Sequence, residues 1–323
     1  VTGVFLKVWH PEFLPCDWKE ERRSAMRVCA TLDVPFLTMD FEKEYKKEVV
    51  DYMLREYKEG RVPNPDIFCN KYVKFGVFLK KALEMGADFI ATGHYAQTIK
   101  NSGGEYELHE SVDKNKDQSY FLCTLGQHEL AHTLFPVGGM TKPEVRKLAE
   151  KFNLSTAEKK DSQGLCFIGK VDMKDFLSHY IKAVPGNVLN VGGEIVGQHD
   201  GAVFYAIGQR HGFEITKKSS NDPRFFVVSK DMEKNTITVA DKDSESDMVY
   251  SIGYVKVSSM SFVSGKTPVF PLKTSVRIRY RQEKQECIIE KERHGYQIKF
   301  IIPQDGISVG QSAVVYAKPA CLG

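Results

Sequence analysis

Strand-like apolar runs and amphipathic helical runs take turns along the first part of the chain. Residues 1–9 read as a strand. Ala25, Met26, Val28, Cys29 and Leu32 mark a helix, residues 35–39 predict a strand and residues 41–57 a second helix. A helix over 71–85 and a strand over 88–93 follow. Strands separated by helices return in the same direction, so this alternation commits the chain to a parallel sheet with right-handed crossovers. Ligands of such sheets bind at the carboxyl ends of strands, where Gly93-His94 and the end of the first strand would lie.

Helical patterns continue through 127–135, 142–152 and 173–183, and beyond Pro185 the texture changes. Short alternating runs at 225–228, 236–240, 274–280 and 297–302, separated by Gly, Asn and Asp turns, predict all-β structure. Two small barrel-like modules are expected, dividing near Asp247. At 323 residues the chain is too long for one ordinary core. Its 42% apolar and 27% charged residues, with no apolar run of membrane-spanning length, exclude a helical membrane protein. The seven cysteines are scattered without a C-x-x-C pair, which argues against a disulfide framework or a cysteine zinc site and for a reducing, cytoplasmic setting. From Asp247 onward 11 Lys/Arg stand against 6 Asp/Glu, a mild basic bias that suits an anionic partner such as RNA and equally a solvated face.

Two cysteine windows carry the chemistry. In GRVPNPDIFCNKYVKFG (60–76) the prolines fix a stiff extended loop at 62–65. Cys69 is expected in or just before the first turn of the next helix, where unpaired N–H groups and the helix dipole favour a thiolate. The alternative is a buried cysteine packing as a small hydrophobe. In KKDSQGLCFIG (159–169) Cys166 follows a flexible turn, with Lys159 and Lys160 upstream to stabilise its thiolate. Together the windows suggest a two-thiol redox or sulfur-transfer site.

Two other motifs read as decoys. His128-Glu-Leu-Ala-His132 matches the H-E-x-x-H of zinc peptidases, but its helix is short and no third ligand is placed. Ser102-Gly-Gly-Glu105 resembles the start of a phosphate loop, yet it lacks a strand before it and a helix after it, so a hairpin tip is expected. No G-x-x-x-x-G-K-[ST] is present.

PNPDIFCN (63–70), ATGHYA (91–96), NKDQSYFL (115–122), KKDSQGLCFIGK (159–170), IGQRHG (207–212), RYRQ (279–282) and GQSAVVY (310–316) occur in one order. In this the chain resembles the tRNA-specific 2-thiouridylases, over essentially its whole length. The resemblance implies an α/β fold: a Rossmann-like ATP-pyrophosphatase domain at 1–172, a small β-rich adaptor at 173–247 and a C-terminal tRNA-binding β-barrel at 248–323, with 133–154 packing on the adaptor. It implies ATP-dependent transfer of a persulfide sulfur to C2 of the wobble uridine (U34) of tRNAs for lysine, glutamate and glutamine, through an adenylated intermediate. ATP with Mg is the implied cofactor, with no stable metal. A cysteine desulfurase or sulfur-relay protein is the implied donor, and no membrane partner is expected.

Carried over residue by residue, Cys166 is the persulfide carrier, Cys69 the nucleophile and Asp66 a proton shuttle, and the two cysteines can end the cycle as a disulfide. Leu6 and Gly93 fall at nucleotide-contacting positions. Asn64, Pro65 and Asp66 fall at the target base, and His94, Lys116, Asp117, Gln118, Arg279, Tyr280 and Gln311 at tRNA-contacting positions. From the residues alone, Leu6 reads as a core leucine, and the alternation at 278–281 puts Arg279 and Arg281 on one side of a strand. The family opens with a strand and a Ser-Gly-Gly-Val-Asp-Ser loop that cradles ATP phosphates, and this sequence begins after it. The expectation is of a natural chain starting a few tens of residues earlier. A chain truly beginning at Val1 would leave Val4 and Leu6 short of one pairing partner and bind ATP poorly. The alternatives are a tRNA-binding scaffold without catalysis and, behind it, a zinc peptidase.

Overall fold

The computed structural model describes residues 1–14, 18–159, 166, 169, 172–216, 224–241 and 251–323. Its first segment carries the expected α/β alternation. Strand β1 (Gly3–Lys7) pairs in parallel with β2 (Phe36–Asp40), Gly3 opposite Phe36 and Lys7 opposite Asp40, with helix Trp18–Thr31 as the crossover. A helix follows β2 in three sections, Glu42–Tyr45, a wider π-type stretch Lys46–Val50, and Asp51–Lys58. Next come β3 (Ile90–Ala91), the hairpin β4 (Ala96–Lys100) and β5 (Tyr106–Glu110), and β6 (Thr133–Leu134), which pairs in parallel with β3.

The helix expected over 127–135 is confined to Gln127–Ala131. His132 leaves the helix with its Nδ1 2.9 Å from the Asp88 carbonyl, and Thr133-Leu134 become the β6 strand. Helix Lys142–Lys151 begins with its first N–H on the Asp113 carboxylate at 3.0 Å. Helix Met173–Ser178 is capped by Asp172, which accepts from the Asp175 N–H.

The rest is β-rich, as the texture implied. Strands β7 (Gly186–Leu189), β8 (Ile195–His199), β9 (Phe213–Ile215), β10 (Phe225–Asp231) and β11 (Thr236–Asp241) form one sheet in the order β10-β11-β7-β8-β9. Val188, Tyr205, Val227, Ile237 and Val239 are buried within it. Strands β12 (Ile252–Val257), β13 (Leu272–Arg277), β14 (Gln285–Glu292), β15 (Gly295–Gln304), β16 (Val314–Ala317) and β17 (Ala320–Cys321) form the other. That sheet runs on into the first segment. Cys321 pairs with Leu108 and Ala320 with His109, giving the order β12-β15-β14-β13-β16-β17-β5-β4.

A buried ionic cluster fastens this junction: Arg277 reaches Asp117 at 2.8 Å and Glu110 at 3.0 Å, and Lys284 reaches Glu110 at 2.7 Å. Removing one partner of such a cluster typically costs about 3–5 kcal/mol, because it strands a buried charge. One loop ties the segments together. Val62 N–H donates to the Val309 carbonyl at 2.8 Å, Tyr120 O–H to the Ser312 carbonyl at 2.9 Å, and Ile207 N–H to Ser308 Oγ at 3.2 Å. Within the loop Gly310 has φ 96°, and a Cβ there would stand 2.9 Å from Arg61 Cβ and Val62 N. Only glycine accepts both constraints.

Candidate active site

The proline window does form a helix start, but earlier than its apolar pattern suggested. Pro65 opens the helix, its missing N–H costing nothing in the first turn, and the Asn64 side chain caps it by accepting from the Ile67 N–H at 3.3 Å. The helix then runs through Pro65–Phe68, a π-type stretch Cys69–Phe78, and Leu79–Glu84. Cys69 therefore lies in the second turn, its N–H already bonded to the Pro65 and Asp66 carbonyls. The expectation that free helix-start N–H groups stabilise a thiolate at Cys69 is overturned. Its side chain is fully buried, and burial first, then the neighbouring Cys166 sulfur, pushes the thiol well above its ordinary range.

Cys166 lies 97 residues further along the chain, and its sulfur is 3.5 Å from that of Cys69, with Cys69 as donor. Its backbone is held on both sides: the N–H donates to Asp66 Oδ1 at 3.1 Å, and the carbonyl accepts from Tyr45 O–H at 2.7 Å. The hydrogen bond from Cys69, helped by the Lys74 ammonium, outweighs burial and lowers the Cys166 thiol to about 7. Asp66 is raised, by burial, against the pull of the Cys166 N–H and Lys74. Burial works to lower Lys74, but the two sulfurs and Asp66 leave it raised and therefore charged.

The expected source of positive charge is also corrected. Lys159 reaches outward to Glu21 at 2.5 Å, and Lys160 lies outside the described residues. Among the described residues the cation of the site is Lys74, which the sequence reading missed. At 3.6 residues per turn, positions five apart diverge by about 140°, whereas the i→i+5 pattern of a π-type stretch returns them to one face. Gly76 permits that stretch: a Cβ there would lie 2.8 Å from the Lys71 carbonyl oxygen, five residues back. A lysine amid Val73, Phe75 and Val77, five after a cysteine and eight after an aspartate, was the available signal.

The other candidate residues divide. Asn64 and Pro65 stand at the helix start beside Asp66. His94 is 7% exposed, packed by Phe75 and Phe135 at ring distances of 5.6 and 6.2 Å, with Nε2 3.5 Å from Lys74 Nζ and Nδ1 2.8 Å from Thr92 Oγ1. Burial, then Lys74, holds its pKa well below the usual range, so the ring is neutral and faces the thiol site. Leu6 is half-buried in β1 against the core, and Gly93 follows β3 with open space where a Cβ would be.

Asp117 is buried, accepting from the Ser111 and Ser119 N–H groups as well as Arg277. Gln118 Oε1 accepts from the Tyr95 N–H at 3.0 Å. Lys116 shares an open polar cleft with Lys114, Asn115, Asp117, Arg277 and Arg281.

Arg279 and Arg281 do not share a strand face, because β13 ends at Arg277 and Arg281 has φ 64°. Arg279 instead donates to the Ile207 carbonyl at 3.2 Å, and Arg281 stacks over Tyr280, whose ring lies 4.3 Å from Phe121. Gln311 is half-buried in the 308–312 loop. Of the decoys, Glu129 accepts from the Gly126 N–H at the helix start at 2.8 Å, and Ser102-Gly-Gly turns the β4–β5 hairpin, organised by the Asn101 side chain.

Comparison with known proteins places the chain. Residues 1–170 match the tRNA methyl transferase HUP domain, 174–241 the tRNA methyl transferase PRC-barrel domain, and 253–323 the aminomethyltransferase beta-barrel domain. The tRNA-specific 2-thiouridylase MnmA of Stutzerimonas stutzeri is 43% identical over 326 residues, covering 100% of this chain and 86% of its own. Its counterpart in Geobacillus thermodenitrificans is 41% identical with the same coverage, and that of Alkaliphilus oremlandii is 42% identical over 88% of its own length. With three consecutive domain matches and this identity over its whole length, the chain belongs to the family of tRNA-specific 2-thiouridylases.

Proposed function

We propose that this chain is the ATP-dependent sulfurtransferase that thiolates C2 of the wobble uridine in tRNA, with Cys166 as sulfur carrier and Cys69 as its resolving nucleophile. The observation that carries the reading is the approach of the two sulfurs to 3.5 Å beside Asp66 and Lys74. As a thiolate, Cys166 attacks the outer sulfur of a donor persulfide, R–S–SH, and becomes Cys166–S–SH as R–S⁻ leaves. The donor is a protein persulfide, from a cysteine desulfurase or a sulfur relay.

After Cys166–S–SH loses its proton, Cys69–SH and Cys166–S–S⁻ become the Cys69–Cys166 disulfide and HS⁻. Two electrons pass from the thiol sulfurs to the transferred sulfur. HS⁻ adds at C2 of a uridine whose O2 has been adenylated, and AMP departs with that oxygen. The adenylyl group comes from ATP, with Mg, and an external dithiol reduces the disulfide for the next cycle. Asp66 carries protons at the base, a reading supported by its bond from the Cys166 N–H and by the burial that raises its carboxyl.

Open space at Gly93, at the end of β3, suits a nucleotide there, with Leu6 the other contact. The cations of the polar cleft, Lys114, Lys116 and Arg281, suit tRNA phosphates. Substrates are the tRNAs for lysine, glutamate and glutamine, in the cytoplasm. The work divides among a catalytic unit at 1–172, an adaptor at 173–247 and a tRNA-binding barrel at 248–323.

The test supplies the natural protein with ATP, a persulfide donor and a tRNA transcript bearing U34, and digests the tRNA to nucleosides. Thiolated uridine formed only with ATP is the expected result. Bound tRNA without thiolated uridine would leave the binding-scaffold reading standing instead.

A further inference from the structure

We propose that Lys74 is a further catalytic residue of the sulfur-transfer step, its ammonium holding negative charge on the Cys166 sulfur, and that His94 is the positioning residue that aims it. The inference rests on the sulfur-transfer reading above and extends it to two residues outside the cysteine pair.

The geometry has three parts. Among the described residues, Asp66 and Lys74 from the 65–84 helix and Tyr45 from the 42–58 helix stand around the sulfurs and the Cys166 backbone, and His94 from the end of β3 stands behind Lys74. Among the described residues Lys74 is the cation that acts on all three acids, Asp66, Cys69 and Cys166, and it hydrogen-bonds the Cys166 sulfur.

The second part is the tautomer of His94. A Lys74 ammonium 3.5 Å from Nε2 can only donate, so Nε2 is the acceptor and the ring proton sits on Nδ1, which donates to Thr92 Oγ1 at 2.8 Å. A charged His94 would repel Lys74; a neutral one, wedged between Phe75 and Phe135, orients it. The chain Thr92–His94–Lys74–Cys166 thus points one N–H of the ammonium at sulfur.

The third part is chemical. When Cys166 accepts sulfur, its charge leaves with R–S⁻, and loss of the persulfide proton then puts a new charge one atom further out, on the terminal sulfur. A flexible lysine on a wide-turn helix can follow it, whereas backbone N–H groups cannot. The hydrogen bond from Cys69 gives the charge to the Cys166 sulfur while burial keeps the proton on Cys69, and Lys74 holds the charge where it has been put.

The test reads the thiol itself. Alkylation of Cys166 by iodoacetamide is followed by peptide mass across about pH 6–9 in the natural protein, without tRNA or ATP. The wild-type midpoint is expected near 7. Lys74→Met should raise it by about one pH unit, leaving roughly fivefold less reactive thiolate at pH 7. Lys74→Arg, which keeps the charge, should stay within about twofold of wild type, and His94→Phe should shift the midpoint in the same direction by less. Should Lys74→Met fail to melt cooperatively, Lys74→Gln carries the comparison. A midpoint unmoved in the neutral variant, or moved equally by Lys74→Arg, overturns the proposal. Because no substrate is present, loss of tRNA thiolation for other reasons does not affect the outcome.

Discussion

Two sulfurs 3.5 Å apart sit in regions of opposite character. Cys69 belongs to a capped helix, has no solvent exposure and is held as a thiol by burial. Cys166 has its own backbone pinned by one carboxylate and one phenol, and its neighbours favour the anion. The helix supplies both the hydrogen-bond donor and the ammonium, and Cys166 supplies the sulfur that receives them. Charge is therefore assigned to one sulfur before any donor arrives. A symmetric pair of thiolates would repel each other, and a symmetric pair of thiols would be slow to accept a persulfide.

Exchanging either cysteine breaks the contrast outright. Cys166→Ser should abolish persulfide loading and thiolated uridine together. Cys69→Ser should lose product by at least about a thousandfold while Cys166 still takes up sulfur from the donor, detected as a peptide heavier by one sulfur. Cys29, Cys123 and Cys287 lie outside the pair, and their Ser variants should turn over near normally. Product from Cys69→Ser at the wild-type rate would sink the two-cysteine cycle.

Much of this was legible in the sequence and some was not, for identifiable reasons. The strand–helix alternation gave the parallel pairs, and the Asn-Pro-Asp-Cys window marked a helix start with a buried thiol. The source of thiolate stabilisation was misread, because helix-start reasoning assumes 3.6 residues per turn from the first apolar residue. Here the helix begins at Pro65, and its π-type stretch turns Lys74 toward Cys69. That wide turn has no simple sequence signature. Arg279 and Arg281 were misplaced because period-two alternation was extended past the end of β13, into a turn where Arg281 takes a left-handed φ. Asp117, which the resemblance puts at a tRNA-contacting position, is buried and paired with Arg277, 160 residues away, a pairing no local pattern reveals.

The opposite shifts of the two thiols also shape stability against pH. Cys166 has a folded pKa below the ordinary thiol value of 9.0, so its stabilisation is complete above 9 and is lost as pH falls through about 7. Cys69 has its folded pKa raised above 9.0, so its effect is a loss of stability as pH rises beyond 9. Under reducing conditions, resistance to urea should therefore rise from pH 7 to 9 and fall above it. One proton contributes at most about 1.4 kcal/mol per pH unit to that slope. Cys166→Ser should remove its own share of the rise between pH 7 and 9. An identical profile in wild type and variant would show that the two sulfurs are not electrostatically distinct.

The finest test leaves all the reacting groups in place and changes only the helix that relates them. In an ordinary exposed helix, Gly→Ala stabilises by about 0.5–1 kcal/mol. At Gly76 the added Cβ would stand 2.8 Å from the Lys71 carbonyl oxygen, which is backbone and cannot swing aside. Relieving such overpacking typically costs about 1–3 kcal/mol, so Gly76→Ala should be destabilising by a net ~1 kcal/mol despite its better helix propensity. The least disruptive relief is to tighten the turn toward 3.6 residues, which rotates Lys74 away from Cys69 and Cys166. The variant should then show both a small loss in urea midpoint and a Cys166 alkylation midpoint displaced upward, toward that of Lys74→Met. A Gly76→Ala protein more stable than wild type, with unchanged Cys166 reactivity, would mean that the wide turn is incidental and that Lys74 reaches the sulfurs without it.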